Sequence, residues 1–329
     1  MNTDLFWVLF VAMVLWYLLL RNIMAQGIRH YQNKDYAQSE ISFTRVIWLM
    51  PIVAHSYYNR ATTRLMLPDY EGALADLKQA LKYNPRHIMS NFELAYLLLE
   101  THRYDEALRH QHHVIDDIAP DDPRAYFLRG LIYIRLKQWQ DVISDCERAI
   151  DLAKSQMEKT AQFSPYIAGG QKQQDQLAIT LMSAYMLIAN VYTVENNQEE
   201  TMRYYALALA ALDEPNAGVY NDRAESYYAF GQYEDALADY QTAENQLPKT
   251  TISLSPKTEM VIQAGKAVTL FKLGREEEAR RLWNEISAEN DSINDVAWIE
   301  REFYWYPTML ETAQDLITSI QNTQKQIHD

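Results

Sequence analysis

The chain has 329 residues, 48% of them hydrophobic, with a net charge of −14 and a pI near 5.0. This acidic balance disfavours binding to nucleic acid, which selects basic surfaces, and suits a partner with basic segments. Cys146 is the single cysteine, so the sequence excludes an internal disulfide framework and a four-cysteine zinc site.

The first element is an uninterrupted apolar run, Leu5–Leu20. Sixteen residues of helix span about 24 Å, and the run reaches the roughly 30 Å of a hydrocarbon core if Arg21 snorkels to the headgroups. Trp7 lies near one end and Trp16 and Tyr17 near the other, as interfacial aromatic residues do. The pattern favours a single-pass transmembrane anchor, with Trp7, Trp16, Tyr17 and Arg21 at its boundaries.

Two other interpretations of this run stay open. A cleaved signal peptide is disfavoured because no Lys or Arg precedes the run and no A-x-A site follows it. A buried solenoid helix would need other parts of the protein to cover it on every side.

The charges beside the run predict the orientation of an anchor. Arg21, Arg29 and Lys34 follow the run, while only Asp4 precedes it. The positive-inside rule therefore places the rest of the chain in the cytoplasm.

A pattern with a period of 34 or 35 residues begins directly after the run. Its most regular positions are Tyr36, Tyr70, Tyr104 and Trp139, and it continues at Gln198, Tyr233 and Glu276 after longer intervals. A small or compact residue lies nine positions before each of these residues, and another lies three positions after it. A bulky residue lies seven positions after it in every unit but one, where the polar Gln111 stands. Such a pattern predicts pairs of antiparallel helices that cross closely at the small residues.

The pattern resembles the tetratricopeptide repeat family, whose helix–turn–helix unit is 34 residues long. The resemblance covers residues 20 to 290 and is closest in Tyr58–Pro85, Ala125–Leu152 and Val219–Pro248. It implies an all-α, right-handed α-α superhelical solenoid of about seven units, preceded by the transmembrane helix. The units start near Leu20, Ala54, Ile88, Pro123, Met182, Ala217 and Met260.

Two departures from the period set the predicted domain boundaries. Between Trp139 and Gln198 the period is extended by 25 residues, which predicts a long helical hairpin with its turn at Phe163–Gln171. After the last repeat, Val296–Tyr304 and Thr308–Ser319 predict a closing helix pair. The expected organisation is an anchor at 1–21, repeats at 22–153, the hairpin insertion at 154–181, repeats at 182–290 and the closing pair with a polar tail at 291–329.

Several clusters of polar residues have side chains that occur in chemical sites, but their spacing favours a surface role. His110, His112 and His113 lack metal-ligand spacing and are interpreted as a solvated helix face. The aspartates between Asp116 and Asp122 lack the pattern of a calcium loop and are interpreted as an inter-repeat turn. No cofactor, metal ion or catalytic residue is predicted.

The family resemblance places the first helix of each unit along a concave groove that binds partners. From repeats two to four, the residues implied to face it are Tyr58, Asn59, Thr62, Phe92, Glu93, Tyr96, Phe127 and Leu131. From repeat six they are Asn221, Asp222, Glu225 and Tyr228, so this part is acidic. Asn59 matches the central asparagine of the family's clamp for carboxyl-terminal peptides, but the flanking positions carry no basic residue.

These observations predict a non-enzymatic, membrane-anchored scaffold that binds a protein partner as a peptide or helix, with no nucleic acid or small-molecule substrate. One alternative is an exported, periplasmic assembly factor of the cell envelope. Another is the regulatory subunit of an enzyme, with a site in the Met157–Asp175 insertion, where Lys159, Ser164 and Tyr166 are the sparse candidates.

Overall fold

A computed structural model describes residues 3–163, 170–212, 214, 216–249 and 257–328. Sixteen α-helices lie within this part of the chain, which contains no strand. Their bounds are α1 Thr3–Gln32, α2 Tyr36–Leu49, α3 Ala54–Leu65, α4 Tyr70–Tyr83, α5 Ile88–Glu100, α6 Tyr104–His113, α7 Pro123–Arg135, α8 Trp139–Phe163, α9 Gly170–Val194, α10 Gln198–Ala210, α11 Ala217–Ala229, α12 Tyr233–Gln246, α13 Thr258–Lys272, α14 Glu276–Glu289, α15 Val296–Phe303 and α16 Pro307–His328.

The periodic residues mark the start of every second helix. The even-numbered helices from α2 to α14 begin at Tyr36, Tyr70, Tyr104, Trp139, Gln198, Tyr233 and Glu276. A polar side chain caps several of these starts: Asp35 and Asp69, for example, accept backbone N–H bonds from Gln38 and Gly72. The predicted fold of helix–turn–helix units is therefore confirmed in the described residues.

The small residues lie where the two helices of a unit cross. The alanines of this set are fully buried, as Ala61, Ala73, Ala224 and Ala236 show with 0% exposure. The bulky position beside them is also buried, and Cys146 occupies it in repeat four with 0% exposure. Burial raises the pKa of the Cys146 thiol, which keeps it protonated. Gln111, the polar exception, is also buried and donates from Nε2 to the carbonyl oxygen of Ala125 at 2.7 Å.

The apolar amino-terminal run and the first helix of repeat one form one continuous helix, α1, of 30 residues. Its carboxyl-terminal part packs against α2, where the Ser39 hydroxyl donates to the Gly27 carbonyl oxygen at 3.0 Å. Trp7, Trp16 and Tyr17 are 61%, 44% and 62% exposed. A second helix is long and apolar enough to cross a membrane, Lys172–Val194 within α9, but its apolar window is 61% buried inside the protein.

The end of repeat three differs from the prediction. The acidic segment that was interpreted as a simple turn begins as one turn of π-helix, Val114–Ile118, which continues α6. Val114 and Ile115 point into the core while Asp116 and Asp117 are exposed. Asp122 follows as the N-cap of α7 and accepts the backbone N–H of Arg124 at 3.0 Å. The extra π-helical residue lets two apolar side chains reach the core without interrupting the backbone ladder.

The chain divides into two compact units, Met1–Leu136 and Lys137–Asp329. In the first unit, the core consists of residues from α3 to α7 such as Leu77, Leu98 and Ile132. In the second, α8 and α9 pack along each other as the predicted long hairpin; its turn falls at 164–169, outside the described residues. The closing helices α15 and α16 complete the core of this unit through Ile299, Phe303 and Leu316.

Candidate partner-binding surfaces

The first helices of the first unit present equivalent positions from consecutive repeats. Tyr58, Phe92 and Phe127 each lie three residues before the small residue of their helix, so they occupy the same position on α3, α5 and α7. Thr62, Tyr96 and Leu131 lie one residue after it, and Asn59 and Glu93 two before it. We call these eight residues the first-helix surface. All are partly exposed, and Tyr96 is 50% exposed.

Glu93 is the electrostatic centre of this surface. Burial raises the pKa of its carboxyl group, because desolvation disfavours the charged form. Its negative charge in turn raises the pKa of Tyr58, after the larger effect of burial on that tyrosine. No ion pair or hydrogen bond to the Glu93 carboxylate occurs among the described residues. A desolvated acceptor without a donor is a group that a positively charged or N–H-bearing ligand would stabilise.

An aromatic and histidine cluster borders Glu93 on the side of repeat two. The rings of Tyr58 and His87 lie 5.3 Å apart, and His87 Nε2 lies 3.0 Å from His55 Nδ1. Burial, followed by the neighbouring His55, lowers the pKa of His87, so the neutral form of this imidazole is favoured. His87 therefore brings no positive charge to Glu93 at neutral pH.

Other members of the surface are held by contacts within the protein. The Arg124 guanidinium lies 4.8 Å from the centre of the Phe92 ring, a cation–π contact that keeps this ring in place. Asn59 directs its amide nitrogen to the sulfur of Met24 on α1 at 3.4 Å, and Thr62 donates to the carbonyl oxygen of Asn59. Asn59 and Thr62 thus have polar contacts already, whereas the Glu93 carboxylate has none among the described residues and Tyr96 is the most exposed member of the surface.

The predicted site residues of repeat six occupy a different environment in the second unit. Tyr228 is 1% exposed and donates its hydroxyl proton to Thr312 of the closing helix α16 at 2.6 Å, so it belongs to the core. Asn221 is also buried, and its amide nitrogen contacts the carboxylates of Asp222 and Glu225 at 3.3 and 3.0 Å. Tyr228 therefore departs from the expected groove position, because α16 covers it.

The two carboxylates beside Asn221 are strongly perturbed. Burial raises the pKa of Asp222 to about 6, opposed by hydrogen bonds from Asn221 and Asn190. Burial and the charge of Asp222 raise the pKa of Glu225 well above its usual range. Both side chains keep a small exposed area, and the indole nitrogen of Trp305, itself 4% exposed, faces Glu225. This is a pair of like charges held close together, for which one shared proton is favourable.

The three histidines of α6 have different surroundings in the structure. His112 and His113 are exposed and contact Tyr133 and Asp117 respectively, while burial lowers the pKa of His110. Among the described residues no group of three or more His, Cys, Asp or Glu side chains could hold a metal ion. Sequence reasoning missed the contribution of His87 to the surface, although its position directly before α5 could have indicated it.

Comparison with known proteins agrees with this geometry. A family model for the tetratricopeptide repeat matches residues 58–111, which span repeats two and three. The chain is also 27% identical over 95 residues to the small glutamine-rich tetratricopeptide repeat-containing protein 2 of Saccharomyces cerevisiae. The chain therefore contains tetratricopeptide repeats, which the family model places at residues 58–111. That alignment covers 29% of this chain and 28% of the yeast protein, so the chain matches only about a quarter of its relative's length.

Solved structures of tetratricopeptide repeat proteins share the fold over most of the chain. A tetratricopeptide repeat protein from Parabacteroides merdae ATCC 43184 superposes with a TM-score of 0.62 and 14% identity, covering 91% of this chain and 98% of that one. PilW, a type IV pilus biogenesis factor, superposes with a TM-score of 0.54 and 14% identity, covering 74% of this chain and 98% of that one. At this identity the likeness shows the fold alone.

Proposed function

We propose that this tetratricopeptide repeat protein is a non-enzymatic scaffold that binds a protein partner on the first-helix surface of its first unit. The observation that carries the proposal is Glu93, a desolvated carboxylate that no described residue neutralises, beside the half-exposed Tyr96. Aromatic side chains next to a desolvated polar group are typical of the residues that dominate protein interfaces. The tetratricopeptide fold itself is a repeat architecture that offers extended binding surfaces.

The chemistry of the surface indicates the kind of segment it would bind. Phe92, Tyr96, Phe127 and Leu131 offer apolar contacts at a repeat spacing, and Glu93 offers one partly desolvated acceptor. A helical or extended segment with apolar residues, and with one Lys, Arg or backbone N–H that reaches Glu93, would make the apolar contacts and also bind the carboxylate. A carboxyl-terminal carboxylate would not, because it would face Glu93 with a like charge.

We further propose that the amino-terminal part of α1 anchors the repeats to a membrane. Its apolar window has no buried residue, and the large side chains from Phe6 to Leu19 are exposed along the whole stretch. Thirty helical residues are about 45 Å long, enough to span a hydrocarbon core and continue into the first repeat. The positive-inside rule then supports a cytoplasmic location of the repeats.

The binding proposal is tested with two matched tyrosines. Tyr96 and Tyr70 are 50% and 51% exposed, but Tyr70 starts the second helix of its repeat. Partners of the full-length protein would be crosslinked in membranes, captured and quantified for Tyr96→Ala, Glu93→Gln and the control Tyr70→Ala. We expect the first two variants to lose the main partner, with a truncation at Tyr96 costing about 2 kcal/mol of binding free energy, while the control retains it. Equal recovery by all three folded variants would contradict the proposal.

One alternative function has an observation in its favour. The fold is shared with PilW, which is described as a pilus biogenesis factor, and an amino-terminal apolar helix is also compatible with an export signal. In this alternative the chain would act as an exported assembly factor of the cell envelope. Sequencing the amino terminus of the mature protein separates the two: loss of the first 20 or so residues favours export, and an intact terminus favours the anchor.

A further inference from the structure

The most exposed large apolar side chain outside α1 belongs to α2. Trp48 is 82% exposed, and Ile52, in the loop that follows the helix, is 62% exposed. Arg45 lies one turn before Trp48 and is exposed as well. A tryptophan left almost fully in water within a folded repeat is unusual, because burying its ring is worth several kcal/mol, so a partner surface is expected to cover it.

The register between α1 and α2 determines the position of Trp48 along the axis of α1. Ser39 contacts Gly27, and the ring of Phe43 lies so close to Gly27 that an added Cβ would be 2.7 Å away. The helices are antiparallel, so Trp48, nine residues beyond Ser39, lies about 13 Å nearer the amino terminus of α1. This places Trp48 level with the segment between Leu18 and Asn22.

That level is where the apolar part of α1 ends. The exposed apolar side chains of α1 continue as far as Leu19, and Arg21 and Asn22 are the first exposed polar residues after them. Trp48 and Ile52 therefore extend the apolar surface of α1 sideways at its boundary, with Arg45 and Arg21 on the polar side. Aromatic rings at such a boundary, followed by arginines, are typical of side chains in the headgroup region of a bilayer.

We propose that the segment from Trp48 to Ile52 rests in the headgroup region of the bilayer that α1 enters, as a second membrane contact of the first repeat. This inference rests on the proposed anchoring of α1. The second contact would hold α2 against the membrane and so restrict the rotation of the first repeat about the anchor. The ligand is a lipid surface, recognised by the indole ring, the Ile52 side chain and the two arginines.

The test uses cysteine labels in the full-length protein reconstituted into phosphatidylcholine and phosphatidylglycerol vesicles. Cys146 is fully buried, so an environment-sensitive thiol reagent labels an introduced cysteine selectively, and a Cys146→Ala background removes any remainder. Three positions are compared: Pro51→Cys, an exposed position that leaves Trp48 and Ile52 in place, Ala12→Cys within the anchor, and Tyr70→Cys, an exposed position on the next repeat. Each is measured with iodide as the aqueous quencher and with lipids that carry a quencher at headgroup or acyl-chain depth.

The proposal expects a blue-shifted label at position 51 that headgroup-depth lipids quench most strongly. The label at 12 should be quenched from acyl-chain depth and the label at 70 by iodide. If the label at 12 is lipid-quenched but the label at 51 behaves like that at 70, the second contact is absent and the anchor stands. If the label at 12 is not lipid-quenched, the anchoring itself is wrong. Protection at 51 from both iodide and lipid quenchers would mean that protein covers this segment, and would also overturn the proposal.

Discussion

Replacement of Asp76 by alanine is expected to be among the most destabilising polar substitutions in the first unit. Asp76 is 2% exposed and accepts two bonds from Arg60, at 2.6 and 2.8 Å, and a third from Arg64 at 3.0 Å. These contacts join α3 to α4 within repeat two. Removing the carboxylate leaves two guanidinium groups, whose side chains are 14% and 20% exposed, without their central acceptor.

The expected loss is about 3 kcal/mol, the lower end of the range for breaking a buried ion pair, because both arginines keep some contact with solvent. For a unit of this size, such a loss lowers the melting temperature by roughly 6–12 °C. Glu106→Ala serves as the exposed control: Glu106 pairs with Lys78 at 3.4 Å, with side-chain exposures of 35% and 50%, and should cost at most about 1 kcal/mol.

The assay is urea unfolding followed by helical circular dichroism for both variants and the parent. Asp239→Ala provides an independent test in the second unit, where a single arginine of the described residues, Arg223, pairs with the carboxylate at 2.6 and 2.8 Å. We expect both aspartate variants to be clearly less stable than the Glu106 variant. If Asp76→Ala costs no more than Glu106→Ala, the buried ion pair contributes nothing and the reasoning is refuted.

Three further substitutions test the packing and the electrostatics of the second unit. Gly265→Ala should cost about 1–3 kcal/mol, since the new Cβ would lie 2.4 Å from the fully buried Tyr240 ring; an unchanged melting temperature would show that Tyr240 can move. Ala236→Leu should cost a similar 1–3 kcal/mol by overpacking the crossing of α11 and α12, and a neutral result would mean that this crossing is looser than described. Burial raises the pKa of Asp222 from 3.8 to about 6, so the folded state holds its proton more tightly than the unfolded chain. The free energy of unfolding should therefore fall as pH rises from about 4 to 6. In Asp222→Asn, with the neighbouring Glu225 unchanged, this fall should be smaller. An equally steep fall in the variant would contradict the assignment to Asp222.

The repeat pattern predicted the helix pairs because each periodic residue has a fixed structural role. Tyr70 and Tyr233 begin second helices, and Ala73 and Ala236 lie three residues later at the crossings, where a larger side chain would separate the helices. These roles depend on local spacing, which a sequence displays directly. The continuity of α1 is also local, because Gly27 and Tyr36 of the first repeat follow the apolar run directly.

The surface was harder to predict because exposure depends on contacts between distant segments. Tyr228 occupies a repeat position that is expected to face the groove. Its hydroxyl group instead donates a hydrogen bond to Thr312, 84 residues away, and α16 covers the Tyr228 side chain. Conversely, Trp48 lies in an ordinary helical pattern, and only the fold shows that nothing among the described residues buries it. The raised pKa of Glu93 likewise arises from its burial in the folded chain, which the repeat sequence alone does not reveal.

The binding role of the first-helix surface is tested most directly by a photo-crosslinking residue at position 96. A photoreactive phenylalanine analogue would replace Tyr96 in one full-length protein and Tyr70, its equally exposed counterpart, in another, and both would be irradiated in the membrane of intact cells. The account predicts a discrete crosslinked protein at position 96 that is absent at position 70 and is lost when Glu93→Gln is added. Crosslinks that are the same at both positions, or none at position 96, would contradict it.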